Sequence, residues 1–363
     1  MKKIKMEQLK FIFSGGGTGG HIFPAIAIAN ALKEKHPNAE FLFVGALGKM
    51  EMEKVPLEGY RIIGLPIAGL IRSFSLRNFV VLYKSLKSYF ISRKIIKDFK
   101  PNAVIGTGGF ASLPICYAAG KMNIPVFVWE GNGYAGLTNK IMSKTAKKIF
   151  CGFGEMDEYF KYHNWIHSGN PIRKEITVKI DKKIACEYFG FDPQKPILFV
   201  TGGSLGARVL NESIEAGIQE LEKNNIQVIW QTGNFYKIPE NLGKNIWANP
   251  FLREMNLAYS CADAVVSRSG ALSCSEIAAV GVPAILVPSA NVTDDHQTKN
   301  ALHVSKNGGA LLLKDKDAKT QLIEMAIELL QNAEKQQQMK KALADTAKPN
   351  ATITIIEEIE KNL

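Results

Sequence analysis

Twice in this chain a short apolar run ends in a cluster of glycines, and the glycines open directly into a helical pattern. In the first half, residues 10–14 (KFIFS) lead into Gly15-Gly16-Gly17-Thr18-Gly19-Gly20 and a helix expected over 22–35. In the second, residues 197–201 (ILFVT) lead into Gly202-Gly203-Ser204-Leu205-Gly206 and a helix over about 207–223. A strand that turns through glycines into a helix must cross over to a parallel neighbour, so each half is committed to a parallel sheet covered by helices. Strand patterns at 41–44, 103–106 and 126–129, and again at 227–232, 264–267 and 284–287, repeat the alternation. At 363 residues the chain has room for two such units. The fold class expected is α/β, with two Rossmann-like domains. Pro and Gly cluster at Ser168-Gly169-Asn170-Pro171, which sets the domains at 1–167 and 168–348. A single helix is expected over 318–341. Pro349 separates it from a last short helix, 349–363, expected to pack back on the first domain.

Open α/β sheets bind ligands at the carboxyl ends of their strands, so the site is expected in a cleft between the facing domains. The loop at 15–20 satisfies G-x-G-x-x-G. A dinucleotide fold would close its second strand on an acidic residue, but 41–44 ends in Val44-Gly45 and Glu40 stands at the wrong end. A Walker A loop is excluded, because no G-K-[ST] follows. What remains is a set of backbone N–H groups and a helix dipole suited to a diphosphate or a sugar oxygen. His21 stands at the helix start, where a helix-start histidine without chemistry explains it equally well. Ser204 can donate to a phosphate. Gly270 offers a third helix N-terminus, and Glu276, two turns in, can accept from a ribose diol; a solvated helix glutamate gives the same letter.

The net charge of +11 is uneven: residues 1–165 hold 23 Lys and Arg against 11 Asp and Glu, and the remainder 22 against 23. One half is therefore expected to meet an anionic partner. The densest basic stretch, 71–100, carries Phe79, Leu82, Tyr83, Leu86 and Phe90 at helical spacing, amid Arg72, Arg77, Lys84, Lys87, Arg93, Lys94 and Lys97. Such a helix can lie in a membrane interface, where each basic residue contributes about 1 kcal/mol. A helix packed on the core with a charged outer face has the same pattern. RNA-recognition signatures are missing, which places lipid ahead of nucleic acid. No apolar stretch approaches the roughly 18 residues of a membrane span, and 11–13 is too short for a signal-peptide core, so a cytoplasmic location is expected. Five scattered cysteines form no C-x-x-C pair. Buried thiols and no protein-held metal are expected.

Six blocks occur in order: GGGTGGHIFPAIAIANAL at 15–32, GTGGFASLP at 106–114, WEGNGYAGLTNK at 129–140, SGNPIR at 168–173, GGSLGARVLN at 202–211 and SRSGALSCSEIAAVGVPAILVP at 267–288. Together, over about residues 10–305, they resemble the MurG family of peptidoglycan N-acetylglucosaminyltransferases. The resemblance implies the GT-B architecture and an inverting transfer of GlcNAc from UDP-GlcNAc to the muramoyl 4-hydroxyl of undecaprenyl-diphosphate-linked lipid I, giving lipid II. It implies a place in cell-wall biogenesis, hence in cell shape and division, and docking on the cytoplasmic face of the inner membrane. Cell-wall synthesis proteins are implied as partners, and no cofactor is.

Carried over by position, the resemblance assigns Thr18, Gly19, Gly20, Asn132, Arg173, Ser204, Leu252, Ala271, Leu272, Glu276 and Gln297 to the donor, with Glu276 on the ribose and Leu252 reading uracil through its backbone. Gly17, Gly108 and Gly109 fall to the acceptor. His21 is the expected base and Glu130 a second candidate. Arg72, Phe74, Leu76, Arg77, Phe79 and Lys84 are assigned to the membrane. Two departures stand out. The family's frequent H-E-Q-N-G reads Trp129-Glu130-Gly131-Asn132-Gly133 here, and the segment 289–297 is a residue longer than in some members, with His296 where a glutamine often stands. Rival readings are transfer to another lipid such as diacylglycerol, a UDP-GlcNAc epimerase, and a non-catalytic nucleotide-sugar-binding module.

Overall fold

A computed structural model describes residues 8–69, 77–292 and 295–363, which form two compact units. The first runs to Pro171 and takes back Asn350–Leu363, and the second is Ile172–Pro349. In chain order the first unit contains β1 (Lys10–Ser14), α1 (Gly19–Lys35), β2 (Glu40–Ala46), α2 (Glu51–Leu57), β3 (Arg61–Leu65), α3 (Arg77–Phe99), β4 (Ala103–Gly106), α4 (Leu113–Lys121), β5 (Val126–Glu130), α5 (Leu137–Met142), β6 (Lys148–Cys151) and β7 (Trp165–His167). The strands form one parallel sheet in the order β3-β2-β1-β4-β5-β6-β7. Phe11, Ile12 and Phe13 of β1 are completely buried, as an unbroken apolar run must be when helices cover both faces of the sheet.

The second unit holds α6 (Lys182–Phe189), β8 (Ile197–Thr201), α7 (Arg208–Lys223), β9 (Gln227–Gln231), β10 (Ile246–Asn249), α8 (Met255–Cys261), β11 (Ala264–Ser267), α9 (Ala271–Val280), β12 (Ala284–Leu286), α10 (His296–Ser305), β13 (Ala310–Leu312), α11 (Ala318–Gln331) and α12 (Ala333–Thr346). Its parallel order, β10-β9-β8-β11-β12-β13, repeats that of the first sheet. Both sheets are Rossmann-like, and in each the order reverses beside the strand that carries the glycine loop. The last helix, α13 (Ala351–Glu360), joins the first unit, where Ile355, Ile356 and Ile359 pack among Phe11, Phe13, Phe127 and Phe150.

Two differences from the sequence reading have local causes. The helix expected over 318–341 is two, because Asn332 leaves helical geometry and its side chain caps α12, accepting from Lys335 N at 2.9 Å. The change of domain expected at 167/168 falls after Pro171. Residues 168–170 are tied to the first sheet, Gly169 N donating to Cys151 O at 3.1 Å and Asn170 Nδ2 to Gly131 O at 3.0 Å. On α3 the core-facing stripe is Val81, Ser88, Ser92, Ile95 and Ile96, whereas Phe79 (70% exposed), Leu82, Tyr83, Leu86 and Phe90 face outward. Arg72, Phe74 and Leu76 lie outside the described residues, as does the side chain of Arg77. No described helix is long and apolar enough to cross a membrane.

Candidate active site

In the first unit the pairing of Ser14 with Gly106 sets the loop after β1 beside the loop after β4. Thr107 ties them together. Its N donates to Ser14 O at 2.8 Å, its Oγ1 donates to His21 O at 2.6 Å, and its carbonyl lies 2.9 Å from His21 Nδ1. A carbonyl only accepts, so Nδ1 carries a proton, and the neutral ring then has its lone pair on Nε2. That is the tautomer a general base requires. A Cβ on Gly109 would stand 2.3 Å from Gly16 O, so only glycine lets the two loops touch. Gly17, Thr18, Gly19, Gly20, His21, Gly108 and Gly109 are thereby gathered at the end of one sheet, with Gly19 and Gly20 opening α1. One expectation is corrected. The N–H of Gly17 does not wait for an anion; it donates to Glu51 Oε2 at 3.1 Å.

Glu130 ends β5 and is buried. Its Oε1 accepts from Asn132 N at 3.1 Å, and its Oε2 accepts from Gly136 N and Asn139 Nδ2, each at 2.8 Å. Both oxygens are occupied in shaping the turn that carries Asn132. This corrects the second base candidate: Glu130 is turned into the protein, not toward a reacting hydroxyl. Trp129 and Gly131, both departures within this block, fit against each other. A Cβ on Gly131 would lie 2.3 Å from Cη2 of Trp129, so the indole fills the space that a side chain at 131 would need.

In the second unit the loop after β8 is anchored from within. Gly203 N donates to Thr201 Oγ1 at 3.2 Å, Thr201 Oγ1 to Gln231 Oε1 at 3.0 Å, and Gly206 N to Gly203 O at 2.9 Å. Ser204 stays at the exposed tip. The helix that follows, α7, has no side-chain cap and no acidic residue in its first turn, the condition that favours an anion at its start. Thr201 pairs with Ser267, which brings α9 and its first residues, Ala271 and Leu272, to the same end of the sheet. Leu252 is buried in the segment after β10, where Pro250 O accepts from Gly233 N at 3.0 Å.

The sequence reading placed Arg173 and Glu276 on the nucleotide separately, and the structure brings them together. Arg173 Nη2 lies 3.4 Å from Glu276 Oε1, and Tyr259 OH donates to Oε2 at 3.4 Å. Burial pushes the Glu276 carboxyl above the usual carboxylate range, while Arg173 and the Tyr259 hydroxyl pull it back in part. Tyr259 is held well above its ordinary value by burial and by Glu276, so it remains a donor. Gln297 opens α10 one residue in, and its Oε1 accepts from Ser289 N at 2.8 Å. Among the described residues no three of His, Cys, Asp and Glu gather as metal ligands.

Two family models match the chain: the glycosyltransferase family 28 N-terminal domain over residues 11–151 and the glycosyltransferase family 28 C-terminal domain over residues 197–355. The UDP-N-acetylglucosamine--N-acetylmuramyl-(pentapeptide) pyrophosphoryl-undecaprenol N-acetylglucosamine transferase of Cytophaga hutchinsonii is 46% identical over 358 residues, 98% of this chain and 97% of its own. The protein of the same name from Flavobacterium psychrophilum is 46% identical over 360 residues, 98% of each chain. The crystal structure of Acinetobacter baumannii MurG matches with a TM-score of 0.78 at 27% identity, covering 98% of this chain and 99% of that one.

Proposed function

The chain belongs to glycosyltransferase family 28, and from that premise we propose that it moves N-acetylglucosamine from UDP-N-acetylglucosamine to the muramoyl 4-hydroxyl of lipid I, yielding lipid II. It is a UDP-GlcNAc-dependent N-acetylglucosaminyltransferase of peptidoglycan synthesis. The observation that carries this reading is the 46% identity over 98% of the chain to a protein of that name.

The reaction is a single displacement with inversion. The acceptor oxygen attacks C1 of the sugar, the C1–O bond to UDP breaks, and the acceptor proton passes to His21 Nε2. A positioned base of this kind contributes roughly 10²–10⁴ in rate. The departing diphosphate is met by the N-termini of α7 and α9, by Ser204 and by Arg173, donors fixed before the charge develops. Glu276 takes the ribose diol, and Leu252, Ala271 and Leu272 line the uridine. Asn132, Gln297, Thr18, Gly19 and Gly20 are assigned to the sugar, and Gly108 and Gly109 to the acceptor.

The acceptor's lipid stays in its bilayer, so the enzyme must come to the cytoplasmic face. The outward apolar stripe of α3, with exposed Lys87, Arg93 and Lys94 beside it, supports that surface as the docking face.

Incubation with UDP-GlcNAc and lipid I should give lipid II. Turnover with diacylglycerol only, or epimerisation of UDP-GlcNAc without any acceptor, would overturn the proposal. His21→Ala should lose turnover and keep UDP affinity, which a non-catalytic binding module could not do.

A further inference from the structure

Glu51 opens α2, is completely buried, and has no part in the chemistry described so far. Among the described residues no cation pairs with it. A carboxylate without water is stable only where other donors replace that water. Two backbone groups do so. Ala46 N, at the end of β2, donates to Oε1 at 2.9 Å, and Gly17 N, in the first glycine loop, donates to Oε2 at 3.1 Å. The space is matched as closely as the hydrogen bonds. A Cβ on Gly16 would stand 2.1 Å from Oε1, and one on Gly45 would stand 2.6 Å from Cγ. Two glycines at two neighbouring strand ends are thus left bare around one carboxylate.

The same loop is held on its other side by Thr107, whose Oγ1 donates to His21 O at 2.6 Å. A Cβ on Gly15 would collide with that hydroxyl, 1.9 Å away. The glycine run is therefore clamped between an acid from α2 and a threonine from the end of β4, and His21 sits where the run becomes α1. Hydrogen bonds to an ionised acceptor are roughly twice as strong as neutral ones, which suits a clamp that must not slip.

We propose that Glu51 is a positioning residue for glycosyl transfer: by accepting the Gly17 N–H it fixes the first glycine loop and, through it, the placement of His21 against the acceptor hydroxyl. Glu51 touches no substrate. The inference rests on the reading of His21 as the base. Misplacing a reacting group by about 1 Å can cost on the order of 100-fold in rate, so a loop anchor can carry a catalytic effect of that size.

Glu51→Gln keeps the volume and removes one acceptor, so it separates anchoring from space-filling. The expected result is a kcat lowered at least tenfold, a KM for UDP-GlcNAc changed less than about threefold, and an unchanged UDP dissociation constant, since the uridine residues lie in the other unit. Glu51→Gln with kcat within twofold of wild type would overturn the proposal. Should the variant fold too poorly to bind UDP, amide hydrogen exchange on the wild-type protein decides. The Gly17 and Ala46 amides should exchange at least a hundredfold more slowly than unstructured amides, and unprotected exchange at Gly17 refutes the clamp. A wild-type enzyme that makes no lipid II would instead refute the functional reading, and the exchange measurement would still judge the clamp.

Discussion

Glu276 shows how a single buried carboxylate sets a pH dependence. Burial raises its pKa in the free protein, so protonation begins at a higher pH than for an exposed glutamate. Ribose hydroxyls donate to the ionised form, and protonation removes that acceptor. UDP affinity should therefore be complete above the raised pKa and weaken as pH falls through it. Stability of the free protein runs the other way: the contribution of Glu276 is present below its unfolded pKa and is lost as pH rises through the folded one. Calorimetric titration of UDP between pH 4 and 8 checks the sign. The phosphates of UDP titrate as well, so the test is the difference from Glu276→Gln, whose curve should lack the carboxylate step. Glu276→Ala should cost about 1–3 kcal/mol of UDP affinity, the scale of hydrogen bonds to a charged group. Identical curves for wild type and Glu276→Gln would remove Glu276 from the ribose. His21 and Glu276 could be proposed from sequence because each stands at a recognisable distance from a glycine that opens a helix. Glu51, Thr107 and Tyr259 could not. Each acts on a partner that the topology delivers from 17 to 86 positions away, and no spacing rule marks such a residue.

Elements respond to fit as well as to pattern. Trp129 ends its side chain against Gly131, two residues on, so a side chain at 131 must displace the indole or distort the turn that Glu130 organises. Overpacking of this kind costs about 1–3 kcal/mol. Gly131→Gln alone should lower stability by that amount in urea unfolding. Trp129→His combined with Gly131→Gln should recover most of it, giving a coupling energy well outside the roughly 0.3–0.5 kcal/mol expected of independent sites. Additive losses would show that the two departures are unrelated. Helix α3 offers a second test. Phe79→Ser, Leu86→Ser and Phe90→Ser together should reduce binding to anionic vesicles at least tenfold and leave unfolding nearly unchanged, because these side chains touch solvent and not the core. Unaltered vesicle binding would move the docking face elsewhere. The strand–glycine–helix units were legible because a buried parallel strand is a continuous apolar run. The edge strands β3, β7, β10 and β13 were not, because each is only partly buried, and neither was β6, whose run of three buried residues is too brief to stand out. The break between α11 and α12 was hidden because Asn332 fits a solvent-facing helix position as readily as a cap.

Across the whole molecule the chain does not simply run through one domain and then the next. It ends by returning α13 to the first unit, and two kinds of contact hold it there. Glu360 accepts from Lys35 Nζ and faces His36 Nε2, each at 2.6 Å, at a partly exposed edge. Ile355, Ile356 and Ile359 enter the core of the first unit, where α13 meets α1 and β6. Partly exposed ion pairs contribute at most about 1 kcal/mol. Burial of an isoleucine contributes about 1.5–3 kcal/mol, and three of them approach the 5–15 kcal/mol by which a whole domain is stable. The apolar seam must then dominate. Ile359→Ala should cost about 2–5 kcal/mol in equilibrium unfolding, whereas Glu360→Gln should cost less than about 1 kcal/mol. A chain ending at residue 349 should lose the cooperative unfolding of the first unit, and with it lipid II synthesis. The reverse ranking, with Glu360→Gln the more damaging, would mean that charge fastens the helix and that the isoleucines only fill space. Because α13 packs on α1, the helix that begins in the first glycine loop and carries His21, the end of the sequence bears directly on that helix. The strands of the first sheet lie wholly within the first 171 residues, and isoleucines of α13 complete the core against them.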